Sequence, residues 1–317
     1  MVRRSFLFAV LALIALSSSA QLLWKVSGNG LEKPSYVFGT IHVPYPSLID
    51  KIPGMDQALE GCDIVVGEVE KEEMTSEKNL MDVAQAMFAP SDSTLDKLFT
   101  SEEYALVEQE FKKSFGTFGE AMGLTLSQMN DVKPNIITSQ ILALRSIQAL
   151  KDMKDIPVFT DLKDIPEMDT NIKRGIIDMA IQDRANEMGR PSVGLESILE
   201  QTDLLWNVPL TKQAKNLLAA CENTEPSRLQ SLELLKAYLT QDLSKIQEIM
   251  LVPEIGSLLG RTIDEFYYDR NRNWVEKLDK MMPKHSCLVC VGAGHLPGDQ
   301  GLLQLLRDRG YTVEPMQ

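Results

Sequence analysis

An α/β fold is the class this sequence predicts: a central, mostly parallel sheet formed by N- and C-terminal strands, interrupted by a large helical insertion. Three observations predict it. The chain opens on a strand–helix–strand unit, closes on a strand–turn–helix–strand unit, and carries long stretches of helical periodicity between them.

At the start, "SYVFG" reads as a strand, "IPGMDQALEG" as a short helix and "CDIVVGEVE" as a second strand. That order predicts a right-handed crossover and a parallel pair. Helical spacing then takes over in "SEKNLMDVAQAMF", "SEEYALVEQEFKKSF" and "PNIITSQILALRSIQAL", with breaks at Pro90, Gly116 and Pro134. The insertion is expected over about 71–168, inside one α/β domain spanning 21–317. A helix from about Asp169 to Met188 leads through "GRP" into a third strand signal, "SVGLE", and two or more helices run from Leu210 to Met282. The end returns to the opening pattern: strand "CLVCVG", turn "AGHLPG", helix "DQGLLQLLRDRG" closed by Gly310, and strand "YTVEPM". Core packing is the expected role of the Met- and Leu-rich middle helices.

Residues 1–20 have the parts of an export signal: Arg3 and Arg4, an apolar run from Phe6 to Leu16, and small residues ending at Ala20. The run is about half the ~20 residues a bilayer-spanning helix needs, so a cleaved leader is expected and no membrane span after it. An exported protein, periplasmic or extracellular, follows. Losing two arginines and no acids takes the formal charge from −13 to −15. So negative a surface repels nucleic acid and anionic lipid. The 44% hydrophobic content is enough for one large core and argues against disorder.

Cys62, Cys221, Cys287 and Cys290 would sit in an oxidising compartment, where pairing is allowed but not forced. Cys287 and Cys290 have the spacing of a redox or zinc pair, but residues three apart on a strand face opposite sides. Two buried strand thiols are expected.

The chain has three histidines, and two of them, His42 and His295, end the same local pattern, a strand followed by Gly-x-x-His. Ligands of open parallel sheets bind outside the carboxyl ends of the strands. His42, Glu68, Glu196 and His295 all follow strands and are therefore expected at one edge. Gly39, Gly292 and Gly294 would let the backbone turn sharply there, with both imidazoles projecting from short turns rather than from the core. On an extended strand Glu68 would share a face with Ile64 and Val66 and emerge beside buried residues, whereas Glu70 reads as surface. Two His and one Glu are a catalytic zinc set. Glu196 reads either as a site acid or as the first-turn acid of the helix "ESILEQ". Arg270, in "DRNRNW", reads either as a fixed cation or as half of an ion pair with Asp269 or a site glutamate.

"LWKVSGNGLEKPSYVFGTIHV", "CDIVVGEVE", "PSVGLESILEQ", "DRNRNW" and "VGAGHLPGDQGLLQLLRDRGYTVEPM" resemble, in that order, the TraB/GumN family, which is related to the Tiki proteases. The resemblance covers nearly the whole chain after the leader. It implies a fold shared with the erythromycin-esterase and ChaN-like superfamily and a site of His42, His295, Glu68 and Arg270, with Glu196 as an extra acid. It also implies an exported metal-dependent hydrolase acting on a peptide or protein. His42, Glu68 and His295 would hold a divalent ion such as zinc, manganese or cobalt, Glu68 or Glu196 would take a proton, and Arg270 would steady an oxyanion. The wider superfamily implies two alternatives: a non-catalytic binder of haem or peptide, and a metal-free esterase with His42 as base.

Overall fold

A computed structural model describes residues 21–42, 46–152, 176–252 and 259–316. The expected leader, the last part of the expected insertion and the start of the helix expected from Asp169 lie outside the described residues.

Among these residues, six strands form one sheet: β1 (Leu23–Gly28), β2 (Ser35–Thr40), β3 (Ile64–Gly67), β4 (Ser192–Gly194), β5 (Cys287–Gly292) and β6 (Tyr311–Pro315). Their spatial order is β4-β3-β5-β2-β1-β6. β4, β3, β5 and β2 are mutually parallel, whereas β1 runs antiparallel to both β2 and β6. β2 and β3 are buried at every position, as continuous apolar runs should be when both faces of a parallel sheet are covered. β6, at one edge, alternates instead, with Thr312 and Glu314 exposed.

One strand was not expected and two strand readings need correction. β1 alternates briefly, with Trp24 and Val26 buried and Lys25 and Ser27 only partly so, and it ties β2 to the last strand. β2 and β3 are parallel but not adjacent, because β5 lies between them and pairs with both; an apolar run reveals burial on two faces, not which neighbour it takes. β3 stops at Gly67, so Glu68 stands in the bend after the strand and not on a strand face.

Around the sheet lie α1 (Met55–Gly61), α7 (Ile177–Glu187), α10 (Thr224–Leu239), α11 (Leu243–Met250), α12 (Asp269–Met281) and α13 (Leu302–Asp308), all contributing to one core with the strands. The insertion contains α2 (Lys71–Thr75), α3 (Glu77–Ala86), α4 (Leu95–Leu98), α5 (Ser101–Met122) and α6 (Pro134–Asp152). Leu95, Phe111, Ile137, Ile141 and Leu217 form a second, separate core there, with Leu217 supplied by α9 (Leu210–Glu222). Thr100 caps α5 with a reciprocal capping box, and Gly116, at φ 48, kinks α5 rather than ending it. All four cysteines are free and buried. No helix among the described residues is long and apolar enough to cross a membrane.

Gly39 has a packing reason to be glycine. A Cβ there would lie 3.0 Å from Ala293 Cα and 3.1 Å from Leu296 Cδ2, atoms of the turn that follows β5. Gly39→Ala is therefore expected to push that turn off β2, costing about 1–3 kcal/mol in denaturant unfolding. An unchanged midpoint would show that the two segments are not in close contact.

Candidate functional site

The parallel strands bring the ends of four segments to one edge. Thr40 is in register with Gly292, and Gly67 with both Cys290 and Gly194. The β3–β4 ladder continues past the strands, with Leu195 N–H donating to Gly67 O and Glu196 N–H to Glu68 O, each at 2.9 Å. This continuation is what sets Glu68 and Glu196 side by side. α8 (Ile198–Trp206) begins after them, capped by Ser197 with Glu200 in a capping box, so the cap position comes after Glu196 and the first-turn acid is Glu200.

Two carboxylates so close need a cation, and α12 supplies it. A π-helical turn, Asp264–Tyr268, leads directly into α12, which presents Arg270. Its Nη2 donates to Glu68 Oε2 and Glu196 Oε1, both at 2.6 Å, and its Nε to Glu196 Oε2 at 3.0 Å. Nη1 donates to Phe266 O at 3.2 Å and meets His295 Nε2 at 3.0 Å. These contacts match the five N–H groups of a guanidinium. Asp269, offered as an alternative partner, pairs instead with Arg272. Gln201 Nε2 spans the two acids, 3.1 Å from Glu68 and 3.2 Å from Glu196. The Arg270, Glu68 and Glu196 side chains are only 10%, 11% and 10% exposed, so water screens this network little.

His295 lies on the short 3₁₀ turn Ala293–His295 after β5 and is buried, contrary to the expectation of a projecting ring. Tyr267 and Trp274 hold it at centroid distances of 4.8 and 4.4 Å, and Trp274 also stacks on the Arg270 guanidinium at 4.5 Å. Aromatic walls of this kind carry no local sequence signal that separates them from ordinary core packing. Burial lowers the His295 pKa, and Arg270 and His42 lower it further against the opposing pull of Glu68, to about 3. The ring is therefore neutral, and its 3.8 Å approach to Glu68 Oε1 is not an ion pair.

Glu68 is the hub. Its Oε1 accepts from Gly292 N–H at 2.8 Å. Burial raises its pKa, but the Arg270 and His42 charges and the Gly292 N–H outweigh burial and hold the carboxyl near 2. His42 differs from its counterpart. Its ring is 64% exposed, and its Nδ1 stands 3.2 Å from Asp178 Oδ2, in the first turn of α7. Thr40 Oγ1 donates to Asp178 Oδ1 at 2.6 Å. Desolvation and the Arg270 charge lower the His42 pKa, but the nearby Asp178 carboxylate, aided by Glu68, raises it to about 9. Water reaches most of the ring and screens the pair; the direction follows from the carboxylate.

Asp178, Asn271 and Gln201 were not among the expected site residues. Asn271 sits in the motif "DRNRNW" that drew attention to Arg270, whereas Asp178 and Gln201 carry no local signal. A cleft of about 360 Å³ borders the network through Glu196, Arg270 and Trp274 and is otherwise lined by residues including Glu200, Asp203, Arg261 and Lys277; His42, Glu68 and His295 do not line it.

The donor chemistry suits a divalent cation: one ionised carboxylate and two imidazoles, each with Nδ1 against a protein oxygen and Nε2 directed elsewhere. Among the described residues, however, no group of three or more His, Cys, Asp or Glu is gathered closely enough to hold a metal, and the Arg270 guanidinium occupies the space against His295 Nε2. The fit is one of ligand type.

Fold and site together define an α/β protein with a His–Glu–Arg centre at the carboxyl edge of its sheet. The chain belongs to the TraB/PrgY/gumN family, which it matches over residues 22–315. It is 22% identical to Metalloprotease TIKI2 of Danio rerio, across 92% of this chain and 60% of the relative. It is 23% identical to Metalloprotease TIKI1 of Homo sapiens (92% and 61%) and 22% to the Metalloprotease TIKI homolog of Amphimedon queenslandica (92% and 60%). The chain thus spans about three fifths of the length of these curated relatives. No solved structure matches it.

Proposed function

We propose that the protein is an exported metal-dependent hydrolase acting on peptide or protein substrates. The observation that carries the reading is convergence: Gly-x-x-His segments from opposite ends of the chain meet across the β2–β5 pair, with Glu68 hydrogen-bonded to one of them. The metalloprotease names of the relatives support it.

His42, Glu68 and His295 supply the ligand types that would hold a divalent ion, although as they stand they are not gathered closely enough around one point to do so. Such an ion supplies Lewis acidity, polarising a carbonyl and making water a better nucleophile near neutral pH. Glu68, ionised over the whole physiological range, would take a proton only where it is not holding the ion, since its Oε1 already accepts from Gly292 N–H and its Oε2 from Arg270 and Gln201. Glu196 has both oxygens bound by Arg270, so it serves chiefly to order that cation and only secondarily as a base. Arg270 steadies developing negative charge by exchanging one of its carboxylate contacts for the oxyanion. The neighbouring cleft offers room for a peptide segment beside Arg270.

The test is direct. The chain from residue 21 on, loaded with manganese, cobalt or zinc, is expected to retain metal and cleave members of a peptide library. His42→Ala should lose most of both, and chelation should abolish cleavage. Equal cleavage by the metal-loaded parent and His42→Ala would overturn the reading.

The His42–Asp178 pair favours a second reading, a metal-free hydrolase in which Asp178 orients His42 as the base. Cleavage that survives strong chelation yet is lost in His42→Ala would select it. With its pKa raised to about 9, His42 would be mostly protonated at neutral pH, so such activity should climb with pH toward that value.

A further inference from the structure

The two Gly-x-x-His histidines are alike in sequence but not in what holds them, and the difference lies in Asn271. Asn271 is fully buried on α12. Its Nδ2 donates to His295 O at 3.1 Å and to Gln300 O at 2.9 Å. Both amide hydrogens are thereby consumed by backbone carbonyls, which can only accept, so the side chain cannot turn over without losing both bonds. Its Oδ1 consequently faces the His295 ring, 2.7 Å from Nδ1. An amide oxygen accepts only, so the proton of the ring must sit on Nδ1. On the other side of the ring, Arg270 Nη1, which can only donate, stands 3.0 Å from Nε2. The two contacts demand the same arrangement: hydrogen on Nδ1, lone pair on Nε2. His42, by contrast, faces a carboxylate, which tolerates a charged ring.

We infer that Asn271 is a positioning residue that fixes His295 as the neutral Nδ1–H tautomer and keeps its Nε2 lone pair turned toward Arg270 and Glu68. An asparagine suits the task where an aspartate would not, because a neutral acceptor orients the ring without drawing a second proton onto it. The consequence for function rests on the reading of the previous subsection: a nitrogen that must coordinate or accept a proton has to present a lone pair, and Asn271 ensures that it does.

The tautomer is measured without reference to activity. With three histidines in the chain, nitrogen NMR of the metal-free, histidine-labelled protein resolves three rings. His295 is expected to show a protonated Nδ1 and an unprotonated Nε2, with an Nδ1 proton slow to exchange with water. In Asn271→Leu the Nδ1 proton loses its acceptor, so it should exchange with water much faster and its resonance should shift, even while Arg270 still favours a lone pair on Nε2. Asn271→Asp, which keeps an acceptor, should retain the slowly exchanging Nδ1–H. Asn271→Leu should also lower kcat/KM about 10- to 100-fold, chiefly through kcat. A wild-type ring carrying its hydrogen on Nε2 overturns the inference, and so does an unchanged His295 spectrum in Asn271→Leu. Should both variants fail to fold, the wild-type tautomer and proton exchange still decide. If the tautomer behaves as stated but no peptide is cleaved, the hydrolase reading fails and the role of Asn271 stands.

Discussion

Arg270→Met is expected to destabilise the protein by about 3–5 kcal/mol, the usual cost of removing one partner from a buried ionic network. Methionine fills much of the same volume, so the loss is electrostatic rather than a cavity effect. Without the guanidinium, Glu68 and Glu196 face one another with little solvent to screen them, and His295 Nε2 loses its donor. Gln201 cannot replace the cation, since its amide already spans both acids. Arg270→Lys should recover only part of the loss, because a point charge on a flexible stem cannot reproduce five contacts fixed in one plane. The triple variant Arg270→Met/Glu68→Gln/Glu196→Gln should recover most of it, since removing all the charges together leaves none uncompensated. Denaturant unfolding at pH 7 and pH 4 separates these terms. The penalty in Arg270→Met should shrink at the lower pH, where its unpaired carboxylates take up protons. A penalty below about 1 kcal/mol, or one indifferent to pH, would show that the arginine is not what holds the two acids together.

The same network explains what was legible in the sequence and what was not. Strands β2, β3 and β5 announced themselves because burial on both faces demands unbroken apolar runs, and the edge at which they end follows from their parallel direction. His42, Glu68, Glu196 and His295 were expected at that edge on this argument alone. The order of strands could not be read in the same way, since apolar runs do not name their neighbours, and so the insertion of β5 between β2 and β3 was missed. The choice among partners for Arg270 was likewise undecidable locally: Asp269 is next to it in sequence, but on a helix adjacent residues point apart, whereas Glu68 and Glu196 are brought to it by the sheet. Asp178 was invisible for a similar reason. Its partners Thr40 and His42 lie far from it in sequence, and an acid in the first turn of a helix ordinarily needs no explanation beyond the helix dipole.

In the absence of metal, the protein is expected to lose stability steadily as pH falls below 6.5, in two stages with separate causes. His295 has its pKa lowered from 6.5 to about 3 by burial first and by the Arg270 and His42 charges after it. Below 6.5 the unfolded chain takes a proton at this histidine while the folded chain does not. The unfolded state therefore binds more protons, and stability falls with falling pH by about 1.4 kcal/mol per unit. Glu68 joins below 4.5, its unfolded value, and its contribution continues to decline until pH approaches its folded pKa of about 2. With both groups acting, the slope roughly doubles. His42 behaves in the opposite sense: its folded pKa is raised, so its contribution is fully present below 6.5 and fades only as pH rises through about 9, leaving the acid window unaffected. The comparison that isolates His295 is with His295→Gln, which keeps a polar group in the slot but cannot titrate. Between pH 6.5 and 4.5 the stability difference between parent and variant should narrow by about 2–3 kcal/mol. A difference that stays constant across that window would mean that the ring already carries its proton in the folded state, and that the neutral imidazole on which the site chemistry depends is not there.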